Sequence, residues 1–188
     1  VNVPIASILG LIYVGSELGL TLKKRAKAGE ANGRDRGSLR LLWIVIASSS
    51  FLAFTVASAL PAARMGGGPL VRYAGVVIFV AGLSIRWYSI VHLGRFFTVN
   101  VAIAANHRLI DTGPYRFVRH PSYTGALMAF LGLALCLDNW ASLVAMTVPV
   151  FLVFLWRIGV EEAALLQGLG DPYRVYMTRT KRLIPAVY

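Results

Sequence analysis

The chain has 188 residues, 57% of them hydrophobic and only 14% charged. A soluble domain is nearer half apolar and a quarter charged, so disorder, a collagen-like repeat and a soluble nucleic-acid-binding domain are excluded as first readings. A net charge of +11, from 19 Lys and Arg against 8 Asp and Glu, fits so apolar a chain only if the charges lie between the apolar runs, as in a polytopic membrane protein.

A bilayer core of roughly 30 Å takes about 20 helical residues. Residues 4–22 form the first candidate span, with Glu17 its only ionisable residue. Residues 39–60 form the second, with Arg40 at its start, and residues 70–91 the third, with Arg72 and Arg86 towards its ends. Two runs of 16 residues follow, 122–137 and 141–156, separated only by Asp138-Asn139-Trp140. That spacing predicts a tight antiparallel hairpin in a thinned bilayer or with ends beyond the apolar segment. The fold expected is all-α: five membrane-embedded helices, the last two a hairpin, and a cytoplasmic helical tail. Residues 1–92 supply three spanning helices and residues 93–188 the functional core of one membrane domain. The first run lacks a basic leader and a small-residue cleavage site, so it reads as a retained span.

Lys and Arg in short loops set the orientation. The first loop carries Lys23, Lys24, Arg25, Lys27, Arg34, Arg36 and Arg40, whereas the second, residues 61–69, has only Arg64. The third, residues 94–121, has Arg95, Arg108, Arg116 and Arg119. The turn at Asp138 has none, and the tail has Arg174, Arg179, Lys181 and Arg182. The alternation places the N-terminus outside and the C-terminus in the cytoplasm. The positive charge then serves topology and anionic lipid rather than nucleic acid. Gly66-Gly67-Gly68-Pro69 lacks a following Gly-Lys-Ser/Thr and reads as an inter-helix turn. No G-x-G-x-x-G supports a dinucleotide fold. Cys136 is the only cysteine, which excludes an intrachain disulfide and a cysteine-based zinc cluster, and no metal is expected.

Chemistry concentrates at one end. Gly113-Pro114-Tyr115-Arg116-Phe117-Val118-Arg119-His120-Pro121-Ser122-Tyr123-Thr124-Gly125 leads into the fourth helix. Pro121 suits its first turn, where a missing N–H costs nothing. Arg119 and His120 then sit beside backbone N–H groups that favour an anion. Gly125 permits close approach of a ligand or of another helix. The fifth run ends in Arg157-Ile158-Gly159-Val160-Glu161-Glu162. Adjacent carboxylates at a helix C-terminus oppose the dipole and call for a cation, either Arg157 one turn earlier or a ligand. A hairpin brings Arg119-His120 and Glu161-Glu162 to the same face. The tail interleaves Tyr173, Arg174, Tyr176, Arg179, Lys181 and Arg182. It reads as an interfacial amphipathic helix or as a lid over the site. Residues 99–103, with 108–110, read as extended.

These strings resemble a known family. Leu93-Gly94-Arg95-Phe96-Phe97, His107-Arg108-Leu109-Ile110, Gly113-Pro114-Tyr115-Arg116, the Arg119-to-Gly125 string, Glu161-Glu162 and the Tyr/Arg tail are similar to the isoprenylcysteine carboxyl methyltransferases. Their superfamily includes phospholipid N-methyltransferases. The similarity covers residues 93–185 and resembles the small prokaryotic members. It implies an S-adenosylmethionine-dependent membrane methyltransferase with its cofactor pocket at the cytoplasmic face, built from the last two helices and the tail. The cofactor residues implied are His107, Leu109, Tyr115, Arg119, His120, Tyr123, Gly125, Glu161, Tyr173 and Tyr176. Aromatic faces and carboxylates suit a sulfonium, and a basic group suits the cofactor carboxylate. Glu162 either joins them or holds the tail through a basic partner.

The expected acceptor is an isoprenylcysteine-like carboxylate or another lipophilic or prenylated molecule entering from the bilayer. Such a carboxylate is ionised at neutral pH and needs a cation for orientation, not a base. Arg179 and Arg86, with Glu162, are the candidate catalytic residues on that reading. A phospholipid or other amine would need a proton acceptor such as His120. The sterol reductases, which use NADPH, share the Arg-His-Pro string, but an acidic pair repels a phosphate-rich dinucleotide.

Overall fold

A bilayer leaves no water for backbone groups, so apolar runs of this length fold as helices that satisfy their own N–H and C=O groups. The computed structural model describes residues 3–24, 33–97 and 109–185. Among the described residues six α-helices are present: α1 (Val3–Lys24), α2 (Gly33–Ala59), α3 (Gly68–Leu93), α4 (Pro121–Cys136), α5 (Trp140–Leu169) and α6 (Asp171–Arg179). Among the described residues there is no strand, only isolated bridges between Arg64 and Asn139 and between Val118 and Lys181. Leu109 and Ile110 are irregular. Residues 99–103, expected to be extended, lie outside the described residues, as does His107.

Among the described residues four helices are long and apolar enough to cross a bilayer: α1, α2, α3 and α5. This is the architecture of a multi-pass integral membrane protein. The fourth apolar run is a 16-residue helix, about 24 Å long. The fifth run extends past its apolar segment, one of the two alternatives for its short length, and beyond the end expected at Glu161-Glu162: α5 runs for 30 residues to Leu169, about 45 Å. Ala163, Ala164, Leu165 and Leu166 are good helix formers, and the helix stops only at Gly170, whose φ is +62°. Glu161 and Glu162 therefore lie two turns inside the helix, and the dipole argument for a compensating cation does not apply to them.

Leu137, Asp138 and Asn139 join α4 to α5. Asp138 takes a left-handed φ of +51°, and Asn139 caps α5 by accepting from Ser142 N at 3.0 Å. Asn139 also donates to Leu60 O, and Ser142 Oγ to Ala53 O, which tie this end to α2. The most extensive helix contact is between α3 and α4, followed by α2 against α5; α1 rests on α4. Glycines make the α3–α4 approach possible. A Cβ at Gly82 would lie 2.6 Å from Gly125 O, and one at Gly75 the same distance from Gly132 O. Small residues let membrane helices close on each other, because lipid supplies no hydrophobic drive for association. Phe79, Phe130, Leu133, Met146, Val150 and Phe154 fill the core between these helices.

Candidate active site

The polar cluster forms where α4 begins. Pro121 occupies the first turn of α4, as its missing N–H allows. The tail returns to meet it. Arg119 N donates to Lys181 O at 2.8 Å and His120 N to Arg182 O at 3.0 Å, while Thr124 Oγ1 donates to Leu183 O at 2.8 Å. The amides of Arg119 and His120 thus serve the tail and do not face an anion.

The two glutamates have different surroundings although they are adjacent in sequence. Successive positions on a helix point about 100° apart. Glu162 faces inward and is buried. Its Oε1 accepts from Arg119 Nε at 2.8 Å and lies 3.3 Å from His120 Nε2. Its Oε2 lies 2.8 Å from Arg182 Nη2 and accepts from Arg182 Nε at 3.0 Å. Arg119 Nη1 goes on to donate to Met177 O at 3.2 Å and to Thr180 O. Glu162 therefore holds the tail through two arginines, one of the two roles left open by the sequence. Glu161 keeps 30% of its side chain exposed. It accepts from Tyr123 Oη at 2.7 Å and lies 3.9 Å from His120 Nδ1. The His120 ring stacks on Tyr123 with centroids 5.6 Å apart and planes 7° from parallel.

Three further tyrosines close the cluster. Tyr176 donates to Tyr115 O at 2.5 Å, and Tyr115 donates to Ser89 O at 3.3 Å. Tyr173 is 2% exposed, and its hydroxyl has no hydrogen-bond partner among the described residues. A buried unpaired hydroxyl costs free energy unless something binds it. Burial raises the Tyr115, Tyr173 and Tyr176 phenols, and the nearby Glu161 adds to this at Tyr115 and Glu162 at Tyr173. Tyr176 is pushed up to about 12. All three are neutral hydroxyls at physiological pH.

The other residues singled out in the sequence border this cluster: Arg157 interacts with Tyr123, and Arg86 reaches Ser122 O. Gly125 packs against the α3 backbone, where a Cβ would meet Arg86 N at 2.5 Å; of the two approaches it allows, the structure uses the helix. Arg86 forms a bidentate pair with Glu17 at 2.6 and 2.7 Å. Arg179 is 61% exposed and lies 3.6 Å from Asp111. Leu109 is half-buried at the edge of the described loop. Arg157, one turn before Glu161, is buried and donates to Ser38 Oγ of α2. Sequence reasoning missed Glu17 as the partner of Arg86. The signal was present, because an acid and a base in separate spans call for each other in lipid. Among the described residues no group of three His, Cys, Asp or Glu side chains is placed to hold a metal.

Residues 70–171 match the phospholipid methyltransferase family. Over 119 residues, 62% of this chain, the sequence is 35% identical to a protein of Oryza sativa subsp. indica named "Probable protein-S-isoprenylcysteine O-methyltransferase". It is 36% identical over 115 residues to protein-S-isoprenylcysteine O-methyltransferase A of Arabidopsis thaliana. These matches span 62% and 58% of the relatives' own lengths, less than two thirds. The fold is similar to a solved eukaryotic intramembrane Ras methyltransferase, an isoprenylcysteine carboxyl methyltransferase. The TM-score is 0.65 at 27% identity, over 77% of this chain and 52% of that one.

Proposed function

The chain belongs to the phospholipid methyltransferase family, and from that membership we propose that it is an S-adenosylmethionine-dependent membrane methyltransferase acting on the carboxylate of an isoprenylcysteine-like or other lipophilic acceptor. The observation that carries this is the pairing of a half-open carboxylate, Glu161, with the buried, unpartnered hydroxyl of Tyr173 in one aromatic cluster. A ligand with a cationic centre and hydrogen-bonding groups satisfies both, so the residues present fit this cofactor. Tyr115, His120, Tyr123, Glu161, Tyr173 and Tyr176 are the residues that would hold it, with Leu109 before them; His107, also implied by the sequence, lies outside the described residues. When bound, the cofactor supplies an electrophilic methyl group.

The chain's own residues then have positional work. Methyl transfer is an in-line displacement, so placing the two reactants governs the rate. Tyr123 and His120 set the direction of the Glu161 carboxylate. Glu162, Arg119 and Arg182 hold the tail over the cluster and keep water out. Glu162 enters as the anchor of that cover and not as a group that touches the reacting atoms. Arg179, exposed beside Asp111, is a tail cation that an incoming carboxylate can meet.

In this proposal α4 is the fifth membrane-embedded helix and pairs with α5 as a hairpin. Its 16 residues fall about 6 Å short of a bilayer core, which sets His120 near the hydrocarbon boundary, within reach of a lipid-borne acceptor. The loop charges support a cytoplasmic site, an external N-terminus and a cytoplasmic C-terminus.

Purified protein is heated with S-adenosylmethionine or with NADPH, and then incubated with labelled cofactor and carboxylate or amine lipids. The expected result is a rise in Tm with S-adenosylmethionine only and a product heavier by one methylene on the carboxylate acceptor. Stabilisation by NADPH alone overturns the enzyme class, and methylation of amines alone overturns the acceptor class.

A further inference from the structure

A charge buried at bilayer depth is costly unless it is paired and hydrogen-bonded. Arg86 of α3 and Glu17 of α1 are both buried, 69 residues apart in sequence. Arg86 Nε donates to Glu17 Oε1 at 2.6 Å and Nη2 to Oε2 at 2.7 Å. This is the two-point fork in which a guanidinium holds a carboxylate most strongly. An acceptor carboxylate seeking the same fork must first displace Glu17.

The remaining terminal nitrogen points elsewhere. Arg86 Nη1 donates to Ser122 O at 3.2 Å, in the first turn of α4. One turn further along α4, the bare Cα of Gly125 lets the Arg86 main chain close on the helix. Arg86 therefore grips α4 twice, through its backbone at Gly125 and through its side chain at Ser122. Ser122 stands between His120 and Tyr123, whose stacked rings set Glu161. A shift of this turn moves both rings.

We propose that Glu17 and Arg86 act as one positioning unit that fixes the first turn of α4, and with it His120 and Tyr123, so that Arg86 serves the cofactor site through Ser122 and does not bind the acceptor carboxylate. The inference rests on the proposed methyltransferase function for its ligand, and on the geometry alone for the fixed turn. Glu17 orients the Arg86 fork, and without it the guanidinium has no reason to keep Nη1 on Ser122 O.

The full chain is compared with Glu17→Gln, Arg86→Lys, the double variant, and Ser16→Ala. The last removes the neighbouring α1–α3 bond, Trp87 Nε1 to Ser16 Oγ at 2.8 Å, and leaves Arg86 untouched. Hydrogen exchange is read at the amides of residues 122–126, without ligand. Separately, the Kd for S-adenosylmethionine and the acceptor KM are measured. Glu17→Gln and Arg86→Lys are each expected to speed exchange in that turn at least fivefold relative to the Cys136 end of α4. Both should weaken cofactor binding about fivefold to tenfold with acceptor KM within twofold of wild type, and the double variant should be no worse than the weaker single. Ser16→Ala should change neither quantity. The proposal is overturned if exchange at 122–126 is unchanged, if Ser16→Ala matches Glu17→Gln, or if Arg86→Lys raises acceptor KM while Glu17→Gln lowers it. Wild type that binds no S-adenosylmethionine rejects the proposed function, while the exchange result still decides the positioning role.

Discussion

Tyr123 on α4 donates its hydroxyl to Glu161 on α5 across 2.7 Å, linking residues 38 positions apart. The next residue, Glu162, turns away from that bond and carries Arg119, His120 and Arg182 instead. Two neighbouring acids thus differ: Glu161 keeps a partly exposed carboxylate, which the proposed function assigns to the cofactor, and Glu162 is tied to the tail through arginines.

That difference predicts opposite signatures for conservative changes. Glu161→Gln is expected to keep Tm within about 2 °C, since the residue is partly solvated and the change touches one hydroxyl and a distant His120 nitrogen. Its affinity for S-adenosylmethionine should fall tenfold or more. Glu162→Gln leaves two arginines short of a counter-charge in a buried place and is expected to cost about 3 kcal/mol or more. Thermal melts and calorimetric binding on both variants check this. A stable Glu162→Gln protein that fails only in cofactor binding would reverse the two roles.

Tyr173 and Tyr176 provide a second contrast. Tyr176→Phe loses the bond to Tyr115 O and is expected to destabilise the protein by about 1 kcal/mol. Tyr173→Phe removes a hydroxyl with no partner, so ligand-free stability should hold or rise slightly. The stabilisation that S-adenosylmethionine gives should shrink more in Tyr173→Phe than in Tyr176→Phe, whose hydroxyl is already engaged by Tyr115 O. Melts with and without cofactor separate the two.

The raised phenol pKa values fix the direction of an alkaline effect. With Tyr176 near 12 when folded and about 10 when unfolded, the neutral form is favoured by the folded state. Its contribution is complete below pH 10 and is lost as pH climbs from 10 towards 12. Wild type should lose stability faster than Tyr176→Phe over that interval in pH-dependent melts. Equal slopes would show that the hydroxyl is not buried as described.

The α3–α4 contact should be intolerant of a single methyl group. At Gly82 a Cβ would lie 2.6 Å from two backbone atoms of α4, and backbone cannot swing aside as a side chain can. Gly82→Ala is expected to cost about 2 kcal/mol and to lower activity by shifting α4. Gly159→Ala, with nothing within 4 Å, should be neutral or gain slightly from helix propensity. Tm and activity of the pair decide it.

Much of the molecule is determined by its sequence. Long apolar runs in a medium without water fold as helices, and the boundaries of α1, α3 and α4 follow from hydropathy and from Pro121, whereas α2 starts at Gly33, six residues before its apolar run, and takes in Arg34 and Arg36 that were expected in the first loop. The residues that cluster at the start of α4 are legible too, because a three-residue link between α4 and α5 brings their distant ends together. The length of α5 is not legible from apolarity, since the chain stays helical past its last hydrophobic run until Gly170 supplies a positive φ. The tertiary structure alone decides which acid faces which way, because adjacent helical positions differ by a rotation whose phase is set by packing. It also decides that Arg86 meets Glu17. Lipid demands a partner for each charge, but only the glycine-lined approach of α3 to α4, with α1 laid across, selects the partner and aims its last donor at Ser122.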